Sequence, residues 1–173
     1  MTTSPLNLAV DVHYREDGSA VAAGILFPDW ETDEIARETV VTIPSVSAYV
    51  PGRFFERELP CLLALIETLD TTPSIIVIDG YVTLGPDERP GLGAHLFEAL
   101  DRKIAIIGVA KNRFRDTPVS AELLRGRSAR PLYVTSVGIE PDEAKRLVAS
   151  MRGTGRIPSL LAAADRLSRA PAP

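Results

Sequence analysis

Only one cysteine, Cys61, stands among the 173 residues, so no internal disulfide can form. That scarcity makes a reducing cytoplasm the expected compartment. Leu59, Leu62 and Leu63 surround Cys61 in an apolar pattern, which suits a small core residue better than a nucleophile. No apolar run approaches the roughly 20 residues of a membrane span. The opening Met1-Thr2-Thr3-Ser4-Pro5 lacks the basic and apolar regions of a secretory leader. Internal repeats, low-complexity stretches and a dividing linker are all missing, so residues 1–173 are expected to form one domain. What is present is ordinary for a globular chain: 45% hydrophobic and 24% charged residues, in a length that buries a real core. Nothing in the sequence fixes an oligomeric state.

A net charge of −4 argues at first against a nucleic-acid partner. Its distribution argues otherwise. Residues 102–130 hold Arg102, Lys103, Lys111, Arg113, Arg115, Arg125, Arg127 and Arg130 against only Asp116 and Glu122. This basic stretch on an acidic body fits either a cleft that binds a phosphate backbone or a solvated loop.

Residues 6–14 alternate, with Leu6, Leu8, Val10 and Val12 on one face and Asn7, Ala9, Asp11 and His13 on the other. An Asp17-Gly18 turn leads to a second strand over residues 19–27, and residues 38–43 give a third, completing an antiparallel meander. Past Val50-Pro51-Gly52 the period becomes helical: Leu59, Leu62, Leu63, Ile66 and Leu69 predict a helix over residues 53–69. Ile75-Ile76-Val77-Ile78-Asp79-Gly80 reads as a buried central strand. A loop, a helix over residues 92–101, strands over 104–110 and 132–137, and helices over 141–151 and 159–168 follow. The last residues, 170–173, should fray. The order predicts an α/β fold, a mixed sheet flanked by helices.

Three carboxylates occupy places where a charge is costly. Asp11 lies inside the first strand, Glu58 shares the inward stripe of Leu62, Leu65 and Leu69, and Asp79 ends the most apolar strand. If their elements converge, they repel one another unless a cation joins them, and Mg²⁺ or Mn²⁺ suits an all-oxygen set. Each also has a plain structural explanation: an Asp-Gly turn for Asp79, a basic partner for Asp11, a helix N-terminal charge for Glu58.

These residues lie in motifs that resemble the endonuclease V family. Tyr49-Val50-Pro51-Gly52, four residues, then Arg57-Glu58 is similar to its Tyr-(Ile/Val)-Pro-Gly…Arg-Glu segment. The strand ending in Asp79-Gly80 matches its apolar strand ending in Asp-Gly. Gly91-Leu92-Gly93-Ala94-His95-Leu96 is similar to Gly-Leu-Ala-Ser-His-Leu, and Ile107-Gly108-Val109-Ala110-Lys111-Asn112-Arg113 to Ile-Gly-Val-Ala-Lys-Lys-Arg. Val10-Asp11-Val12 sits where the family carries its first metal-binding Asp, and Arg156-Ile157-Pro158 with Ala164-Asp165 echoes its C-terminal motifs.

The resemblance implies a ribonuclease H-like fold and hydrolysis of a strand at the second phosphodiester bond 3′ to inosine. It implies that Asp11, Glu58 and Asp79 are metal carboxylates and that Lys111 sits near the scissile phosphate or the attacking water. Tyr49, Pro51 and Gly52 would form a wedge between strands, and Gly80, Tyr81 and Arg113 complete the candidate substrate-binding set. The partner is then inosine-containing DNA or RNA. Tyr81 and Gly85 stand where the family carries histidines, and Gly138-Ile139-Glu140 where it has Gly-His-Arg. His13 or Glu140 is a candidate substitute, and His95 reads as a hydrogen-bonded structural histidine. Two expectations follow: a metal-dependent endonuclease, or a nucleic-acid-binding protein that keeps the fold with weakened catalysis. Retention of the carboxylates with Lys111 favours the first.

Overall fold

A seven-stranded mixed sheet organises the computed structural model, which describes residues 4–171. The leader expectation at Met1–Thr3 and the frayed end at 172–173 lie outside the described residues. Strands β1 (Asn7–Tyr14), β2 (Ala20–Phe27) and β3 (Arg37–Ile43) form the predicted antiparallel meander. Helix α1 (Phe54–Glu67) then crosses to β4 (Ile75–Asp79), which lies parallel to β1. A two-stranded ribbon, β5 (Thr83–Leu84) with β6 (Arg89–Pro90), precedes α2 (Leu92–Ala99) and β7 (Ala105–Ala110), parallel to β4. Two-residue edge strand β8 (Glu122–Leu123) and β9 (Leu132–Val137) continue the sheet antiparallel, and α3 (Pro141–Ser150) and α4 (Ser159–Arg169) close the chain. The full order is β3-β2-β1-β4-β7-β9-β8.

Alternation in the sequence sorts side chains onto the two faces. Leu8, Val10, Ile76, Ile78 and Ile106 join Leu62, Leu65 and Leu96 in the core under α1 and α2. Their neighbours of opposite parity turn to the other face. Ala9 packs with Leu160 and Ala164 of α4, while Val77, Ile107 and Val109 pack with Leu147 and Val148 of α3. Cys61 is buried and unpaired in the first core, as its neighbours predict. Pro60 lies on the exposed side of α1, where its missing N–H costs the helix one hydrogen bond but no core contact. Among the described residues no helix is long and apolar enough to cross a membrane.

Three features escaped the sequence. The β5–β6 ribbon lies in what reads as a loop, and β8 is too short to show a period. The basic stretch is not a continuous free face either. Arg102 pairs with Glu98, Lys103 with Asp101, Arg113 with Glu122 and Arg115 with Asp116. Arg125 is 7% exposed and spends its guanidinium on the carbonyls of Met151, Gly155 and Arg156.

Gly108 sets how closely the end of β4 folds over β7. A Cβ at this position would stand 2.5 Å from the Gly80 carbonyl oxygen and 2.9 Å from the Val82 nitrogen, both backbone atoms. Gly108→Ala is expected to cost about 1–3 kcal/mol through overpacking. Gly155→Ala, with open space around its Cβ, is expected to stay within about 0.5 kcal/mol. Urea midpoints of the two variants decide this, and equal midpoints would remove the close-approach argument.

Candidate functional site

The register of three parallel strands gathers the predicted residues. Ala9 of β1 lies beside Val77 of β4, so two residues further on Asp11 and Asp79 face the same way on adjacent strands. Asp79 lies beside Val109 of β7, and two residues past Val109 comes Lys111. Asp11, Asp79 and Lys111 therefore share the α3/α4 face at the C-terminal ends of β1, β4 and β7. Together with Ile157 and Leu161 of the α4 side they line a narrow cleft. Lys111 Nζ donates to Asp79 Oδ2 at 3.2 Å.

Glu58 arrives from the other face. It is 5% exposed on α1, where Tyr14 Oη donates to its Oε2 at 3.4 Å. Arg57 lies over the Tyr14 ring, 3.9 Å from its centroid. Burial raises the Glu58 carboxyl to about 8, and the charges of Asp79 and Asp11 push it the same way. Burial likewise raises Asp11 to about 6, opposed by the Ser168 hydrogen bond and reinforced by Asp79 and Asp165. The Tyr14 hydroxyl is pushed upward by burial and then by Glu58. Burial dominates both shifts, and the smaller contributions of Asp79 to Asp11 and of Asp79 and Asp11 to Glu58 put the three carboxyls within electrostatic range of one another.

A fourth carboxylate lies within electrostatic range of Asp11. Asp165 of α4 acts on Asp11 and is held by Arg169 Nε at 3.0 Å. Three residues along the same helix face, Ser168 Oγ lies 2.8 Å from Asp11 Oδ2 and equally 2.8 Å from the Asp165 carbonyl. Neither role is visible in residues 159–168 as an amphipathic helix; only the Ala164-Asp165 pair hinted at it. Among the described residues no three His, Cys, Asp or Glu side chains surround one ion-sized point. The carboxylates instead meet protons of Ser168, Tyr14 and Lys111. In donor chemistry the set fits a hard divalent cation, being all oxygen and rich in negative charge.

Asp79 also borders a second space. A cavity of about 290 Å³ is lined by Tyr49, Gly52, Phe54, Phe55, Gly80, Tyr81 and Phe114, among others. Gly80 has φ +142° and nothing within 4 Å of where a Cβ would be, so its backbone is open to a ligand. Tyr81 Oη donates to the Asn112 carbonyl at 2.8 Å and accepts from the Phe114 amide at 3.0 Å. Of the predicted substrate-binding residues, Tyr49, Gly52, Gly80 and Tyr81 line this cavity. Pro51 is exposed in the adjoining turn and lines neither space. Arg113 also lines neither, its guanidinium engaged by Glu122 Oε1 and the Thr117 carbonyl, each at 2.7 Å. Phe55 and Phe114 were missed because single aromatics carry no period.

The histidine expectations change. His95 stacks on Phe55, with ring centroids 3.7 Å apart and planes 15° apart, rather than serving as a hydrogen-bonded anchor. His13 Nδ1 lies 3.4 Å from Arg169 Nη1, and Glu140 precedes the first turn of α3. None of the three lines the cleft or the aromatic cavity.

The family model for endonuclease V matches residues 5–130. Endonuclease V of Streptomyces coelicolor is 37% identical over 123 residues, covering 71% of this chain and 51% of that protein. The chain thus spans about half the length of this curated relative. The crystal structure of Streptomyces avermitilis endonuclease V superposes with a TM-score of 0.76 at 31% identity, over 96% of this chain and 80% of that one. A Ciona intestinalis endonuclease V, solved with a 23mer DNA containing an inosine followed by a ribo-adenosine, shares the fold alone. Its TM-score is 0.75 at 18% identity, over 95% of this chain and 83% of that one. The sheet order, the carboxylates at the ends of its parallel strands and these matches converge on one assignment: the chain belongs to the endonuclease V family and has its ribonuclease H-like fold.

Proposed function

We propose that this chain is a metal-dependent endonuclease that hydrolyses a phosphodiester bond 3′ to inosine, or at a distorted site, in DNA or RNA. One observation carries the reading: the strand register sets Asp11, Asp79 and Lys111 side by side in a cleft, with Asp79 also bordering an aromatic cavity. Asp11, Glu58 and Asp79, joined by Asp165, would hold Mg²⁺ or Mn²⁺. Such an ion polarises a phosphoryl oxygen and lowers the pKa of a bound water. Lys111, 3.2 Å from Asp79, would balance negative charge as it develops on the phosphate. The aromatic cavity, at the small end of the ligand-pocket range, would hold an unstacked base between Tyr49, Phe55 and Phe114. A cytoplasmic setting suits the buried, unpaired Cys61.

A second reading, a nucleic-acid-binding protein of weakened catalysis, draws on one observation. Among the described residues no histidine lines either space, and the Tyr81 hydroxyl is taken up by backbone groups.

End-labelled DNA and RNA strands carrying one inosine, incubated with Mg²⁺ or Mn²⁺, separate the two. Cleavage is expected, Asp79→Asn should reduce it to background, and Lys111→Ala should slow it about 10²–10³-fold. Retained strand binding without a product from either polymer or metal leaves the second reading.

The carboxylates also fix a pH dependence for the metal-free chain. Asp11 and Glu58 have folded values of about 6 and about 8, above the ordinary 3.8 and 4.5. The folded state therefore holds more protons than the unfolded one between those limits. Stability is greatest below about pH 4 for these groups and is lost as pH rises through 6 to 8. Melting temperature in EDTA should fall by several degrees between pH 5 and 8. Glu58→Gln should flatten that slope, and Mn²⁺ should raise the melting temperature more at pH 8 than at pH 5. A slope unchanged by both would remove the buried-carboxylate argument.

A further inference from the structure

The loop between α3 and α4 reaches Lys111 through a residue that contacts neither carboxylate nor cavity. Arg156 Nη2 donates to the backbone carbonyl of Lys111 and, at 3.0 Å, to that of Pro131, which Arg156 Nε also meets at 3.3 Å. The β7–β9 ladder ends at Ala110 paired with Tyr133, so Lys111 and Pro131 both lie just beyond it. The guanidinium fork joins the carbonyls of these two segments past the last ladder pair.

Arg156 is itself anchored. Buried Arg125 donates from Nη1 to the Gly155 carbonyl at 3.0 Å and to the Arg156 carbonyl at 3.2 Å, and from Nη2 to the Met151 carbonyl. A continuous chain of contacts thus runs from Arg125 through the Arg156 backbone and side chain to Lys111, and from Lys111 Nζ to Asp79. The next residue, Ile157, forms part of the wall over the same cleft.

We infer that Arg156 is a positioning residue for Lys111: its grip on the Lys111 carbonyl fixes the end of β7 so that the ammonium group stays directed at Asp79. A charge-balancing group acts through its placement, and misplacing one by about 1 Å can cost on the order of 10²-fold in rate. The activity arm of the test rests on the endonuclease reading above; a second arm does not.

The chain has three lysines, Lys103, Lys111 and Lys145, so each side-chain ε-methylene signal is assignable by NMR through single substitution. In the parent chain the two Lys111 Hε protons should be inequivalent, as expected of a held ammonium. In Arg156→Ala they should merge, with kcat reduced about 10- to 100-fold and KM for the strand changed less than about twofold. Arg156→Lys, which keeps one donor, should fall between and serves if the alanine variant fails to fold. Arg152→Ala is the control. Arg152 sits on the same loop but donates to the Glu31 carbonyl at 2.9 Å, and its loss should leave both readouts unchanged. Lys111 inequivalence undiminished from the parent in Arg156→Ala, or in Arg156→Lys where the alanine variant does not fold, would overturn the inference. So would equal merging in Arg152→Ala, which would reduce the effect to general loosening of the loop. A parent chain that cuts no strand sinks the endonuclease reading, while the NMR arm still decides the role of Arg156.

Discussion

Taking the carboxylates of Asp11 and Glu58 out of water is the constraint on which this structure turns. Asp11 and Glu58 are both almost fully buried and both within reach of Asp79. Each charge taken from water costs several kcal/mol unless something offsets it. Three local answers are visible. Ser168 offers a hydroxyl to Asp11, Tyr14 one to Glu58, and Lys111 an ammonium to Asp79. They satisfy one oxygen on each residue and leave the repulsion among them in place. The raised values of Asp11 and Glu58 record burial first and that repulsion second. A stable fold with no further purpose would have no reason to keep such a cluster, because apolar residues of similar size would pack there without penalty.

Much of the remaining architecture serves that cluster. The parallel register sets its spacing, and Gly108 lets the turn after Asp79 descend onto β7. Helix α4 brings Asp165 and Ser168 to a carboxylate 157 residues away from Ser168 in sequence. The site is thus assembled from the first strand and the last helix together. Its integrity depends on long-range closure rather than on any local motif. The same helix supplies Leu161, so apolar packing and polar satisfaction at Asp11 come from one element.

This origin explains what was legible in sequence. Asp11 and Asp79 interrupt strong apolar strands, and Glu58 sits on an apolar helical stripe, so each announced itself as a polar residue in a buried place. Parity then gave the correct face for Asp11. The succession of strands along the chain followed from period changes and turn residues, apart from β5, β6 and β8, which are two residues long and too short to carry a period. Asp165 and Ser168 stayed hidden because polar residues at helical spacing on α4 look like a solvated face until β1 is placed beneath them. Arg125 misled for the opposite reason. Counted as surface charge it strengthened a basic stretch, whereas three carbonyls pull it inside. Charge counts assume exposure, and a loop rich in carbonyls can bury an arginine as well as solvent can expose it.

Tyr81 shows how the departures from the family pattern act on the site. An imidazole at that position would add a titrating group beside Asp79. The phenol instead bridges Asn112 and Phe114 and ties the Asp79-Gly80 turn to the segment after Lys111. Its ring meets Phe114 at 6.1 Å in an edge arrangement, closing the aromatic wall of the neighbouring cavity. The exchange trades a proton carrier for a brace. Among the described residues the cleft beside that turn is lined by the carboxylates of Asp11 and Asp79 and by Lys111, with no imidazole, so its polar wall is carboxylate and amine alone.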